Sequence, residues 1–194
     1  MRQTGFRNPC CSSRSVKQAQ GAVVWFTGLS GAGKTTLARA LVRALAHRGL
    51  RACVLDGDHL RQGLCRDLGF SEADRSENIR RAAEVAKLFA DAGLLCMVAL
   101  ISPLRAARAE ARRCIGPDRF LEVYVAADLA ACERRDVKGL YRRARAGKVR
   151  QFTGLGSPYE PPLRPGLILD TAKLTVPQCV RLLIARLTKH GWLV

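Results

Sequence analysis

Ala22-Val-Val-Trp-Phe-Thr-Gly28-Leu-Ser-Gly-Ala-Gly-Lys-Thr-Thr36 joins an unbroken apolar run, a glycine-rich loop and the first residues of a helical pattern. Residues 28–35 satisfy G-x-x-x-x-G-K-[ST] in full, directly after a strand-like run and directly before a helix, which is the context that gives the motif meaning. Glycines let the backbone wrap closely round phosphates with its N–H groups turned inward, and the following helix aims the positive end of its dipole at them. Gly28, Leu29, Ser30, Gly31, Ala32, Gly33, Lys34, Thr35 and Thr36 are therefore the expected cradle of a nucleoside triphosphate. Lys34 supplies a cation for the β- and γ-phosphates, and Thr35 a hydroxyl for Mg²⁺.

On either side of this loop, strand-like and helical runs alternate. Ala22 to Thr27, Arg51 to Leu55, Leu94 to Ile101, Phe120 to Val125 and Leu167 to Leu169 read as strands. Continuous apolar runs, as opposed to alternating ones, mark strands covered on both faces, as in a parallel sheet between helices. Leu37, Leu41, Ala44 and Leu45 share a helical face that Gly49 ends; Ile79, Ala82, Ala83, Ala86, Phe89 and Ala90 share another that Gly93 ends. Pro103 is expected to open the helix after the third strand, and Val176 to Leu187 to form the last. The series predicts a three-layer α/β P-loop NTPase fold, with a mostly parallel five-stranded sheet and helices on both faces.

The bulk composition agrees with one such domain. A chain of 194 residues, 48% apolar and 25% charged, is long enough for one full core and short for two. Residues 1–20 lack periodicity and read as a loose tail before a domain at 21–194. That tail has no apolar segment to act as a secretory signal, and the longest apolar run, Leu94 to Ile101, is far below the ~20 residues that span a bilayer. The expectation is a cytoplasmic protein without membrane attachment. The eight cysteines are scattered and form no C-x-x-C pair, so several read as small core residues and a zinc site is not expected. Cys10 and Cys11 lie in the tail with little beyond Arg14 and Lys17 to lower a thiol pKa.

A formal charge of +17 raises the question of nucleic acid. Aromatic residues make up only 6%, however, and no RNP-like, KH-like or zinc-finger pattern occurs. Much of the excess is arginine beside alanine, as in Arg105 to Arg113 and Arg142 to Arg145, which reads as a solvated helix face. The same field suits a small polyanionic substrate.

A P-loop leaves kinase, GTPase and ATPase open. No N-K-x-D guanine-reading motif is present. After the second strand, Leu55-Asp-Gly-Asp58-His-Leu-Arg61 falls at the carboxyl edge of the expected sheet, beside the loop, where ligands bind. Asp58 is suited to orient or deprotonate an acceptor hydroxyl and to hold Mg²⁺ through water, with Asp56 in support; the alternative is that both are turn and cap residues. Arg61, Arg75 and Arg80 offer fixed cations for an anionic acceptor, and Phe70 a loop aromatic on which a base can stack. On periodicity alone, Phe70 would be a core plug and the arginines surface.

These segments, in order, are Gly28 to Thr36, Leu55-Asp-Gly-Asp58, Arg66-Asp-Leu-Gly-Phe-Ser71, Asp74-Arg75, Glu77-Asn-Ile-Arg-Arg81, Ile101-Ser-Pro103, Lys138-Gly-Leu-Tyr141, Phe152-Thr-Gly154 and Ser157-Pro-Tyr-Glu160. Together they resemble the adenylylsulfate kinase family. The resemblance implies transfer from MgATP to the 3′-hydroxyl of adenylyl sulfate, giving ADP and 3′-phosphoadenylyl sulfate. It implies that Phe70 and Phe152 clamp the acceptor's adenine, that Arg61 and Arg75 meet its phosphosulfate, and that Asn78 and the backbone at Ile101 complete the pocket. Lys138 falls near the transferring phosphate, and Ser102 takes the position of a phosphoserine intermediate. In-line transfer between two bound nucleotides needs no such covalent step, and no general base is evident beside Ser102 in the sequence. His59 and Cys65 stand where the family commonly has asparagine. Leu140 to Gln151, rich in arginine, resembles a mobile lid over the phosphates. Relatives imply a homodimer and functional pairing with a sulfate adenylyltransferase. Two other readings stay open at this level: a P-loop kinase for another nucleoside or a sugar, and a basic nucleic-acid-binding module.

Overall fold

The computed structural model describes residues 21–148 and 152–193. The expectations for the tail 1–20, including Cys10 and Cys11, and for residues 149–151 of the lid lie outside the described residues.

Five strands, β1 (Ala22–Thr27), β2 (Ala52–Asp56), β3 (Leu95–Ala99), β4 (Phe120–Ala126) and β5 (Leu167–Asp170), form a sheet in the order β2-β3-β1-β4-β5, with every pair parallel. β1 is central and buried along its whole length. Its side chains alternate between two cores, as a parallel strand covered on both faces requires. Val24 and Phe26 face the first core, with Leu37, Leu41 and Leu45 of α1 (Lys34–Ala46) and Leu183 and Leu187 of α7 (Val176–Lys189). Val23 and Trp25 face the second, with Ile79, Ala83 and Ala86 of α3 (Glu72–Asp91) and Ala107, Ala111 and Ile115 of α4 (Arg105–Ile115). At roughly 1.5–3 kcal/mol for each large apolar side chain fully buried, these two layers hold the sheet in register. Short helices α2 (Gly57–Gln62), α5 (Leu129–Arg135) and α6 (Leu140–Arg145) line the carboxyl edge. Among the described residues, no helix is long and apolar enough to cross a membrane.

Three expectations change in detail. β3 ends at Ala99, not Ile101, because the chain leaves the sheet in a turn where Ser102 takes a φ of 40°. Pro103 does not open α4, which starts at Arg105; its carbonyl instead accepts the amide of Glu160 (2.9 Å). The Arg105 to Arg113 run is not uniformly solvated, since Arg108 is 3% exposed on the face that buries Ala107, Ala111 and Ile115. Cys65, Cys96, Cys132 and Cys179 are buried free thiols, in line with the expectation that several cysteines are small core residues.

Candidate active site

β1 delivers the chain to the phosphate-binding loop at the middle of the carboxyl edge. Gly28 has a φ of 147°, and a Cβ there would lie 2.5 Å from the carbonyl oxygen of Val125 on neighbouring β4, so only glycine lets the loop leave the sheet. Lys34 opens α1 and folds back over the loop, its Nζ donating to the carbonyls of Gly28 (2.9 Å) and Leu29 (2.7 Å). Burial pushes its pKa down to about 8; Cys132, Asp58 and Asp56 partly oppose this and Lys138 adds to it. The ammonium is thus buried against neutral carbonyls, an arrangement that an anionic phosphate would relieve.

The Thr35 hydroxyl donates to Asp56 Oδ2 (2.7 Å), while Asp56 Oδ1 accepts the amide of Asp58 (2.9 Å) and caps α2. The cap reading of Asp56 therefore holds, and the same carboxylate also accepts from the phosphate-binding loop. Burial, the largest influence, works to raise its pKa, but the Thr35 hydroxyl, the Asp58 amide, Lys138 and Arg39 hold it below the usual range. Asp58, in the first turn of α2, is exposed and paired with Lys138, which follows α5. The oxygens of Thr35 and Asp56, with Asp58 nearby, suit Mg²⁺, which binds through one or two carboxylates plus substrate phosphates. Among the described residues there is no group of three or more His, Cys, Asp or Glu side chains that could hold a metal ion.

Between α2 and α3, Phe70 is 58% exposed and is no core plug. The guanidinium of Arg61 lies 4.3 Å from its ring centre and that of Arg75 5.9 Å. Arg61 donates to the carbonyls of Leu68 (3.1 Å) and Gly69 (2.8 Å). Arg75 donates to the Phe70 carbonyl (2.9 Å) and the Thr153 hydroxyl (2.5 Å), tying α3 to the segment after the lid. Burial lowers the pKa of both arginines, and at Arg75 repulsion from Arg61 lowers it further. Asn78, on α3, is 5% exposed, and its Nδ2 has no hydrogen-bond partner. Arg80, by contrast, is engaged by Glu77 on its own helix and stands apart from this cluster.

Phe152 is 8% exposed and meets Tyr141 edge-on at 4.9 Å, so it belongs to the first core. Tyr141 in turn donates to the Ser30 carbonyl (2.9 Å), which anchors the start of the expected lid on the phosphate-binding loop. The Ile101 carbonyl accepts from the Thr27 hydroxyl (2.7 Å). Ser102 is 3% exposed, and its Oγ accepts from Trp25 Nε1 (3.1 Å), turned into the second core. Cys65 is buried in that core too, whereas His59 is exposed on α2.

Several contacts had no signature in the sequence. Arg135 donates to Thr171 Oγ1 (3.1 Å) and to the Thr171 carbonyl (2.7 Å), and Thr171 donates to the Ala32 carbonyl (2.9 Å), so the ends of α5 and β5 brace the outer rim of the loop. Residues separated by 36 and 139 positions meet here, and no local spacing announces that.

Comparison with known proteins bears on the same residues. The chain is 53% identical over 176 residues to the adenylyl-sulfate kinase of Prochlorococcus marinus, covering 89% of this chain and 88% of that one. It is 56% identical over 162 residues to the adenylyl-sulfate kinase of Geotalea uraniireducens, covering 84% and 78%. Its structure matches that of the Mycobacterium tuberculosis APS kinase CysC in complex with AMPPNP and APS, with a TM-score of 0.84, 48% identity, and coverage of 88% of this chain and 99% of that one. The adenylylsulphate kinase family model matches residues 20–170, from the approach to β1 to the end of β5. The chain belongs to the adenylylsulphate kinase family of ATP-dependent phosphotransferases.

Proposed function

We propose that the protein transfers the γ-phosphate of ATP to the 3′-hydroxyl of adenylyl sulfate, yielding ADP and 3′-phosphoadenylyl sulfate. The observation that carries this reading is the pair of partly buried arginines, Arg61 and Arg75, whose guanidinium groups lie 4.3 Å and 5.9 Å from the ring centre of an exposed Phe70. An aromatic ring between two mutually repelling cations fits an acceptor with both a base and an anionic group. The unpartnered amide of Asn78 adds a buried donor on the same side.

In this reading the loop amides and Lys34 bind the triphosphate, and Lys34 gains the anionic partner that its carbonyl contacts lack. Thr35 and Asp56, with Asp58 through water, would hold Mg²⁺, which supplies charge neutralisation at the β- and γ-phosphates when bound. Asp58 orients the acceptor hydroxyl and takes its proton, and Lys138, its ion-pair partner, is the mobile cation beside the transferring phosphate. Phe70 and the exposed edge of Phe152 hold the adenine, Arg61 and Arg75 the phosphosulfate, and the backbone at Ile101 closes the pocket. Ser102 has its hydroxyl committed to Trp25 and no base among its described contacts, so we assign it a structural role in the turn. A cytoplasmic location, a homodimer and functional pairing with a sulfate adenylyltransferase complete the proposal, on the strength of the family.

A coupled assay with MgATP and adenylyl sulfate, with adenosine as control acceptor, tests the reaction. Formation of 3′-phosphoadenylyl sulfate from adenylyl sulfate alone is expected. Turnover on adenosine, a sugar or no acceptor, without that product, would overturn it.

A further inference from the structure

α4 has no side-chain cap of its own; the amide of Arg105 donates instead to Glu160 Oε2 (2.7 Å), in the segment that follows the lid. One turn further, Arg108 points inward and is 3% exposed. Its Nε donates to Glu122 Oε1 (2.7 Å), its Nη1 to the carbonyls of Ser102 (2.6 Å) and Pro103 (3.1 Å), and its Nη2 to the carbonyl of Glu160 (2.8 Å). Glu122 alone suffices to neutralise a buried guanidinium. The three carbonyl bonds are the additional product of the planar fork, which a lysine cannot reproduce.

Those carbonyls belong to two segments distant in sequence. One is the 101–103 turn, where Ser102, a non-glycine residue, takes a φ of 40°. Such a conformation costs roughly 1–2 kcal/mol and persists where its surroundings over-determine it. Arg108 and Thr27 hold the Ser102 carbonyl, and Trp25 holds its hydroxyl. The other is the strap from Phe152 to Glu160. It begins as a tight turn, with the amides of Gly156 (2.9 Å) and Ser157 (3.1 Å) donating to the Phe152 carbonyl. It ends with Tyr159 hydrogen-bonded to Thr27 (3.1 Å) and Glu160 paired with Pro103. The two segments carry Ile101 and Phe152, which the acceptor reading assigns to two walls of the acceptor pocket.

We infer that Arg108 is a positioning residue that fixes the spacing of these two walls, and so sets affinity for the acceptor without touching either nucleotide. The inference rests on the acceptor reading given above. It weights the two substrates differently: the 101–103 turn meets the donor loop where the Gly28 amide donates to the Ile101 carbonyl (3.5 Å), but that loop has further braces in Lys34, Arg135 and Thr171, so loss of the Arg108 fork should fall mainly on the acceptor side.

Two variants test this. Arg108→Lys keeps the charge facing Glu122 but supplies one nitrogen for several carbonyls. Arg108→Met combined with Glu122→Gln removes the buried charge together with its partner, so that no unpaired ion is left to unfold the chain. In both, the KM for adenylyl sulfate is expected to rise about tenfold or more while the KM for ATP stays within about twofold. Unchanged KM values, or equal increases for both substrates, would overturn the inference; if the double variant does not fold, Arg108→Lys decides alone. Hydrogen exchange of the nucleotide-free protein separates the clamp from the acceptor reading. Amides at 101–105 and 156–160 should exchange faster in Arg108→Lys than in the wild type, and equal rates would sink the clamp. A wild-type protein inert toward adenylyl sulfate would sink the acceptor reading instead.

Discussion

Lys34 offers the sharpest test of the donor site, through protons instead of rates. Burial over the loop brings its pKa from 10.5 to about 8, a differential of about 3 kcal/mol against the charged form. At pH 6.5 the ammonium is almost fully charged in the nucleotide-free protein; at pH 8.5 only about a quarter of molecules carry it. Binding of the triphosphate places anionic oxygens where the ammonium now meets only the Gly28 and Leu29 carbonyls, and returns the pKa toward its ordinary value. ATP binding at pH 8.5 should therefore take up about 0.7 proton per site, and at pH 6.5 almost none. Titration calorimetry in two buffers of different ionisation enthalpy measures this directly, and MgATP itself is already fully ionised at the higher pH. Lys34→Met should abolish the uptake. Equal uptake at the two pH values, or uptake that survives in Lys34→Met, would refute the burial argument. The same shift has a consequence for stability, with a definite sign. A lysine whose folded pKa is lowered penalises the fold while both states are protonated, below pH 8. The penalty is relieved as pH rises from about 8 to 10.5, so the nucleotide-free wild type should gain stability relative to Lys34→Met across that window.

Phe70→Ala should leave the melting temperature nearly unchanged, since the ring is 58% exposed, yet raise the KM for adenylyl sulfate by a factor of roughly 5–150, the value of one stacked base, with the KM for ATP unaffected; parallel changes in both would place the ring outside the acceptor site. Asp58→Asn breaks only an exposed ion pair and should cost little stability, while kcat falls about 100-fold or more as the acceptor hydroxyl loses its base; a kcat within a few-fold of wild type would remove Asp58 from the chemistry. Ser102→Ala should destabilise the protein by about 1–3 kcal/mol by orphaning Trp25 Nε1, and mass spectrometry of the wild type after turnover should find no phosphoserine at 102. Its presence would restore a covalent step.

Much of this site could be read from the chain alone, because it is built from contiguous segments. The loop at 28–36, the carboxylates of 55–58 and the aromatic at 70 each follow a strand or lie between two helical patterns, and a parallel α/β sheet places such connections on one edge. The five strands were legible for the same reason, as short apolar runs too brief for helices and bounded by glycine or charge. What the chain did not disclose was the state of each side chain. Phe152 reads as a base-stacking residue, but the fold seats it edge-on to Tyr141 and mostly in the core. Ser102 takes the position of a phosphoserine intermediate in the resemblance, but a positive φ turns it onto Trp25.

The sequence by itself determined that a phosphate-binding loop follows a strand of a mostly parallel sheet, because local spacing, glycine placement and apolar run length all act within a few residues; that this strand is the central one came from the structure. The tertiary structure decided which cations are spent on protein and which are left for ligands. Arg108, one of several arginines in an alanine-rich helix, becomes a buried four-bond hub only because Glu122 and two distant loops close over it. Arg135 reaches the loop rim at the Gly31 carbonyl (3.4 Å) and through Thr171, 36 residues away. Periodicity reports which face of a helix is turned inward; what waits there is set by chain segments that no local pattern can see.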